Sequence, residues 1–321
     1  MKAIQFSRTG GPEVLELVDI AVPEPGPGQV RVRNQAIGVN FIDTYHRSGL
    51  YPLKLPSGLG QEAAGVVDAV GEGVDQFKPG DRVYAGAMGG YAEYMLAPAA
   101  RLIRLPGDIS TEIAAASMLK GMTAEFLLRR CYPLKAGEAV LIHAAAGGVG
   151  SILVQWAKAI GAIVIGAVGS EEKVELARSL GCDHVILYRD EDVAARVKDL
   201  TGGAGVSVVY DGVGAATLEA SLSSLRRRGL LASFGNASGP APAVEPSRLQ
   251  RGGSLFLTRP TLFDYIATPA ELAESAAALF HVIETGAVKV EVGRRFALAD
   301  ARAAHEALEG RGTTGSMVLI P

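Results

Sequence analysis

The chain has 321 residues, 48% hydrophobic and 20% charged, an ordinary globular composition long enough for two domains. A net charge of −3 without a long basic run argues against nucleic acid as the main partner. Two cysteines, Cys131 and Cys182, exclude a disulfide framework and a four-cysteine zinc site, and suit a reducing cytoplasm.

The N-terminus, Met1 to Phe6, reads at once as a strand and lacks the marks of a signal peptide. No apolar run is long enough for a membrane span. The first third is β-rich. Residues 29–34 alternate apolar and polar, and short strands follow at 62–69, 82–85 and 93–96. Glycine and proline turns such as Gly71-Glu72-Gly73 and Pro79-Gly80-Asp81 separate them, as in a small barrel or sandwich. Helical spacing begins at 111–119 and resumes at 123–131.

From residue 138 strands and helices alternate. Strands are expected at 139–143, 162–168, 184–187, 206–210 and 230–234. Helices are expected at 149–160, 171–180, about 190–200, and 218–228. Arg226-Arg227-Arg228 would close the last of these and complement its dipole. The alternation implies βαβ units and a parallel sheet whose nearly all-apolar strands are covered on both faces. Further strands are expected at 252–258, 288–292 and 317–320, with an amphipathic helix at 270–285. The parallel-sheet domain is therefore inserted, and the C-terminal segment rejoins the first domain.

Residues 145–150 spell Ala-Ala-Gly-Gly-Val-Gly between an apolar strand and a helix. This is the dinucleotide fingerprint, with Ala145 where the first glycine usually stands. A strand ends, turns tightly and opens a helix whose free N–H groups face a pyrophosphate. Gly147 lets the backbone approach the phosphates, and Gly150 lets the helix pack closely on the strand. The backbone of Ala146, Gly147, Gly148 and Val149 is the expected cradle. An NAD site usually carries Asp or Glu at the tip of the second strand. Here the tip is Gly169-Ser170, and Lys173 lies one helical turn in, where it can meet a 2′-phosphate. Glu171 and Glu172 complement the helix N-terminus instead. NADPH is the favoured cofactor. Tyr188, just past the third strand, is a candidate for the adenosine end.

Several segments now carry a resemblance across essentially the whole chain: residues 38–45 (GVNFIDTY), 58–65 (GLGQEAAG), 143–150 (HAAAGGVG), 209–211 (VYD) and 233–236 (SFGN). The sequence resembles the zinc-independent quinone oxidoreductases, the zeta-crystallin-like branch of the medium-chain dehydrogenase/reductase superfamily. The resemblance implies a Rossmann-type doubly wound parallel sheet inserted into a β-rich GroES-like catalytic domain. It places the catalytic domain at 1–121 and 263–321, and the dinucleotide-binding domain at 122–262. Zinc-dependent relatives carry a cysteine about where Asn40 stands, and Gly-His-Glu where this chain has Gly60-Gln61-Glu62. Asn40 and Gln61 are poor zinc ligands. The five histidines, His46, His143, His184, His281 and His305, show no paired ligand spacing and read as structural or surface residues.

The implied activity is NADPH-dependent quinone reduction without a metal. A quinone spreads negative charge over its conjugated ring, so the enzyme needs mainly positioning, exclusion of water and polar donors near the developing oxyanion. The resemblance makes Asn40 and Tyr45 the candidate donors, with Tyr51 a third. It adds cofactor contacts from Asn40, Thr123, Gly169, Ser170, Lys173, Tyr188, Phe234, Gly235, Asn236, Phe256 and Thr258. It places Phe256 and Thr258 at the end of the last sheet strand, near the nicotinamide. That strand would be a sheet edge, and relatives pair such edges into homodimers. One alternative is an enone or enoyl reductase with Tyr45 as proton donor. Another is a non-catalytic RNA-binding or structural role, which the balanced charge disfavours.

Overall fold

The apolar runs after residue 138 have no polar alternation, so they require cover on both faces, whereas the alternating strands before residue 100 require it on one. The computed structural model, which describes residues 1–310 and 312–321, satisfies these demands in two separate units. One comprises Met1–Leu119, Thr268–Phe280 and Val290–Pro321; the other comprises Lys120–Ala267 and His281–Lys289.

The first unit is built on β1 (Lys2–Phe6), β2 (Glu16–Asp19), β3 (Gln29–Val39), β4 (Ser57–Gly58), β5 (Ala63–Val70), β6 (Arg82–Ala85), β7 (Tyr94–Pro98) and β8 (Leu102–Arg104). The second contributes β9 (Ala139–His143), β10 (Ile163–Val168), β11 (His184–Leu187), β12 (Val206–Asp211), β13 (Leu225–Ser233) and β14 (Phe256–Thr258). The chain then returns to the first unit with β15 (Val292–Ala297) and β16 (Ser316–Ile320). The larger sheet of that unit has the order β15-β16-β3-β5-β6-β8, with β7 also on β3. Long β3 pairs β7 along Gln29–Arg33 and β16 along Ile37–Val39, with Gly38 opposite Val318. Its inward residues, Val30, Val32 and Ile37, pack with Val67, Val83 and Leu319 in one core.

The second unit holds a six-stranded sheet in the order β11-β10-β9-β12-β13-β14, parallel at every pairing. Strand order reverses between β9 and β12, the topological switch point where ligands bind in such sheets. The β-rich first unit and the doubly wound second unit bear out the expected fold class.

Four local expectations fail. Segments 111–119 and 123–131 form one helix, Thr111–Phe126, continued by a π-helical turn at Leu127–Cys131. Residues 114–128 are almost wholly buried, and that burial overrides the cost of Gly121 in a helix interior. The helix from Leu218 stops at Ser224, so Arg226-Arg227-Arg228 is no helix cap. Leu225 enters the sheet opposite Val206, and Leu230 is next in register opposite Val208. The arginines bulge between them: Arg228 has φ +58°, its N–H bonds Gly253 O, and Arg226 pairs with Glu138 at 3.2 Å. The strand expected at 252–258 is confined to β14, because Gly253 and Ser254 turn at positive φ. Residues 288–291 form no strand. Val288 N–H is committed to Val282 O and Lys289 N–H to the Gln155 side chain, leaving the ladder to 292–297.

A buried polar chain holds the loop after β3. Arg47 Nη1 donates to His305 Nδ1 at 2.9 Å, so the imidazole proton is on Nε2, which meets the Tyr91 hydroxyl at 3.1 Å. Tyr91 donates to Asp43 Oδ2 at 3.1 Å, and the same oxygen accepts the Asn40 N–H at 2.9 Å. Arg47 also pairs with Glu309 at 2.6 Å. Burial, and then the Arg47 charge, push His305 down to about 3. The folded state thus holds His305 neutral where the unfolded chain would protonate it. The associated stability is complete above the unfolded pKa of 6.5 and is lost as pH falls toward 3. Chemical denaturation between pH 4 and 7 is expected to show a slope from this residue approaching about 1.4 kcal/mol per pH unit. His305→Gln retains an acceptor for Arg47 and a donor for Tyr91, and is expected to flatten that slope. Coincident slopes for variant and parent would remove the assignment.

Candidate cofactor and catalytic site

The carboxyl edge of the parallel sheet is lined by backbone. After β9, Ala144 adopts φ +52°, a conformation rare outside glycine, and Gly147 N–H closes the turn on Ala144 O at 2.8 Å. Gly147 then caps the helix Gly148–Ile160, whose first N–H groups have no partner within the helix. A Cβ at Gly150 would lie 2.1 Å from Ala144 O, so the fold itself requires glycine there. At Gly147 the nearest atom would be 3.1 Å away, and φ is an ordinary −84°. A side chain there would crowd the Ala144 carbonyl, though far less severely than at Gly150. Ala146 is buried, while Gly147, Gly148 and Val149 are partly exposed.

The neighbouring strand tips continue this edge. β10 ends at Val168, and Ser170 caps the helix Glu171–Ser179, in which Lys173 is half-buried. The Tyr188 hydroxyl would lie 2.4 Å from a Cβ on Gly169, which brings the tips of β10 and β11 together. Tyr188 is 40% exposed. Phe234 packs its ring over Gly212, and Gly235 lies against the Gly212 carbonyl. Asn236 accepts from Arg259 Nη2 at 3.1 Å, and Arg259 Nη1 reaches Ser233 O at 2.6 Å. Thr258 ends β14 opposite Ala232. Phe256 opens that strand opposite Leu230, away from its carboxyl end, and is 60% exposed. Thr123 is buried in the helix Thr111–Phe126.

Beneath this edge lies a network that sequence reasoning missed. Asp211 Oδ1 accepts from the Val213 and Gly214 N–H groups, and Oδ2 from the Thr217 and Ser221 hydroxyls. Ser221 Oγ is 3.0 Å from His143 Nε2. Burial lowers the His143 pKa, so it is a neutral structural residue tying β9 to β12. The segments at 143–150 and 209–211 contain His143 and Asp211, but nothing in them signals Thr217 or Ser221.

The catalytic candidates lie in the first unit. Asn40 is 5% exposed and caps the helix Phe41–Ser48; its Nδ2 donates to Glu62 Oε1 at 2.8 Å. Tyr45, on that helix, is buried and meets the Tyr51 ring edge-on at 5.3 Å between centroids. Gln61 Nε2 donates to His46 Nε2 at 2.9 Å, leaving Nδ1–H toward Tyr51 O at 3.2 Å. Burial lowers the His46 pKa and favours this neutral form. Among the described residues, no group of three or more His, Cys, Asp or Glu side chains is placed to hold a metal ion.

The strand order and the glycine turn define a dinucleotide-binding domain joined in one chain to a β-rich domain. Residues 148–279 match the family described as zinc-binding dehydrogenase, and residues 26–107 match the alcohol dehydrogenase GroES-like domain. A quinone oxidoreductase of Pseudomonas aeruginosa is 55% identical over 100% of this chain and 99% of its own. A 2-haloacrylate reductase of a Burkholderia species is 47% identical over 99% of this chain and 98% of its own. The crystal structure of the Escherichia coli quinone oxidoreductase complexed with NADPH superimposes with a TM-score of 0.98, at 50% identity and full coverage of both chains. The chain belongs to the quinone oxidoreductase family of the medium-chain dehydrogenase/reductase superfamily.

The sheet edge suits a nicotinamide dinucleotide on its own evidence. A polyphosphate needs bare amides at a helix N-terminus, and the tip of β10 carries Ser170 and Lys173 but no carboxylate. Calorimetric titration separates the two demands on the turn. Gly147→Val, whose Cβ would meet Ala144 O at 3.1 Å, is expected to lower the unfolding temperature less than Gly150→Val and to abolish binding of NADPH. Gly150→Val is expected to lower the unfolding temperature, since its side chain meets backbone. Lys173→Ala is expected to weaken NADPH at least about tenfold, the worth of a charged hydrogen bond, and to spare NADH. Equal losses for both nucleotides would remove the 2′-phosphate role.

Proposed function

We propose that this chain is an NADPH-dependent quinone oxidoreductase that works without a metal. The observation that carries the proposal is the tip of β10. Its lack of an acidic side chain and its Lys173 favour a 2′-phosphate over a free ribose hydroxyl. Bound NADPH supplies a hydride to the substrate. The turn Ala146–Val149 holds the pyrophosphate, Gly169, Ser170, Lys173 and Tyr188 hold the adenosine end, and Phe234, Gly235, Asn236, Thr258 and Thr123 serve the nicotinamide end. Phe256 is a weaker candidate there, since it opens β14.

On the substrate side, Asn40 donates a hydrogen bond to the quinone oxygen that gains negative charge, and Tyr45 and Tyr51 provide an aromatic wall with hydroxyls. Conjugation already spreads that charge, so oriented neutral donors suffice where an alcohol or aldehyde substrate would need a Lewis acid. A second reading, reduction of activated alkenes with Tyr45 as proton donor, is favoured by the 47% identity to a 2-haloacrylate reductase. Steady-state assays with 1,4-benzoquinone, 9,10-phenanthrenequinone and 2-alkenals separate the two. The expected order is quinones well ahead of alkenals; faster alkenal turnover would reverse the assignment.

We infer a homodimer through β14. Phe256 and Leu257, 60% and 37% exposed, point to opposite faces of this outermost strand, and an apolar sheet edge invites a second copy. Sedimentation equilibrium is expected to give twice the chain mass, and Phe256→Asp to shift it toward one chain. A single-chain mass for the unaltered protein would exclude the dimer. Two free thiols, Cys131 and Cys182, suit a reducing compartment such as the cytoplasm, and among the described residues no helix is long and apolar enough to cross a membrane.

A further inference from the structure

Glu62 has no exposed surface and carries a carboxylate surrounded by donors. Asn40 Nδ2 reaches Oε1 at 2.8 Å, the Leu119 N–H reaches Oε2 at 2.9 Å, and the Tyr84 hydroxyl also hydrogen-bonds it. The three donors come from the loop after β3, the helix Thr111–Phe126 and β6. Space is made for the carboxylate by Gly38, where a Cβ would lie 2.2 Å from Glu62 Oε1. Nothing in the fold of the loop itself demands an acid at this point. Asn40 already caps its helix, and its backbone N–H is held by Asp43.

We propose that Glu62 is a positioning residue that keeps the Asn40 amide turned with its nitrogen fixed, so that the second N–H is always presented to substrate. A side-chain amide has a donor end and an acceptor end of nearly the same shape and flips readily between them. A carboxylate only accepts. Turning Oδ1 toward Glu62 would set lone pairs against lone pairs in a buried site, so one orientation survives. One N–H is used on Glu62, and the other, on the same nitrogen, remains. The inference rests on Asn40 acting as donor to the quinone oxygen. A competing effect has the opposite sign: a buried negative charge nearby opposes charge growing on that oxygen. Orientation is the larger effect in this proposal, so removing the charge slows the enzyme.

The test is a double-mutant cycle on the full chain with 1,4-benzoquinone and NADPH, reading kcat, KM and the unfolding temperature for Asn40→Ala, Glu62→Gln and the double variant. Asn40→Ala is expected to lower kcat/KM about a hundredfold, the effect of removing one oxyanion donor. Glu62→Gln is expected to lower it about tenfold, chiefly through kcat, because the freed amide still points the right way part of the time. The double variant is expected to match Asn40→Ala within about twofold, since a residue acting through Asn40 has nothing left to act on. Unchanged or faster turnover by Glu62→Gln, or losses that multiply in the double variant, would overturn the positioning role while leaving the Asn40 reading intact. Full activity in Asn40→Ala would remove both. Should Glu62→Gln fail to fold, side-chain amide NMR of the unaltered protein decides. The Asn40 pair, assigned by its loss in Asn40→Asp, is expected to show one proton protected from exchange; two rapidly exchanging protons would overturn the proposal.

Discussion

Backbone passes within contact distance of backbone along the carboxyl edge of the parallel sheet, and the binding capacity of the molecule depends on that approach. Gly150 sits against the Ala144 carbonyl, and Gly235 against Gly212. With side chains absent at these points, the helix Gly148–Ile160 starts directly over the sheet and its amide groups stand unshielded. A polyphosphate is strongly solvated, so only donors fixed in advance replace its water without an ordering cost. The hydrogen bonds of Asp211, Ser221 and His143 stiffen the sheet beneath those donors. Glycine thus serves two ends here: at Gly150 it permits the fold, and at Gly147 we propose that it keeps bulk away from a bound phosphate.

Much of this was legible in the sequence because the relevant signals are local. A buried parallel strand is a short apolar run, and a glycine-rich turn between such a run and a helix has few other uses. β6, β9 and β11 fall within their expected limits for that reason. The misread segments are those where local preference and tertiary contact disagree. Leu225 looks like the next turn of a helix until the partner of Val206 is known, and 288–292 alternates like a strand while the Lys289 N–H belongs to the Gln155 side chain.

The same distinction divides the site. Lys173 and the glycine turn declare themselves by residue type and spacing, and Asn40 is a candidate through the family resemblance. Glu62 and the chain Arg47–His305–Tyr91–Asp43 do not, because each member is ordinary alone and acquires meaning only from partners far along the sequence. Glu62 was even in view, as part of the motif marking the missing zinc ligand, but its own role required seeing Asn40 turned toward it. Charged groups sunk beneath an active site are visible in sequence only as unexplained polar residues in apolar surroundings.

The placement of β16 has a consequence for how the molecule is made. Ser316–Ile320 lies between β15 and β3, with Gly38 opposite Val318. While a ribosome is still elongating the chain, Ile37–Val39 of β3 must wait with their outer amides and carbonyls unpaired until Ser316–Ile320 has been synthesised. The doubly wound domain, whose strands all lie between, can assemble first. Nascent chains of this enzyme therefore carry a short, open, apolar strand flank at residues 37–39 until β16 follows, and that flank is where a chaperone would be needed.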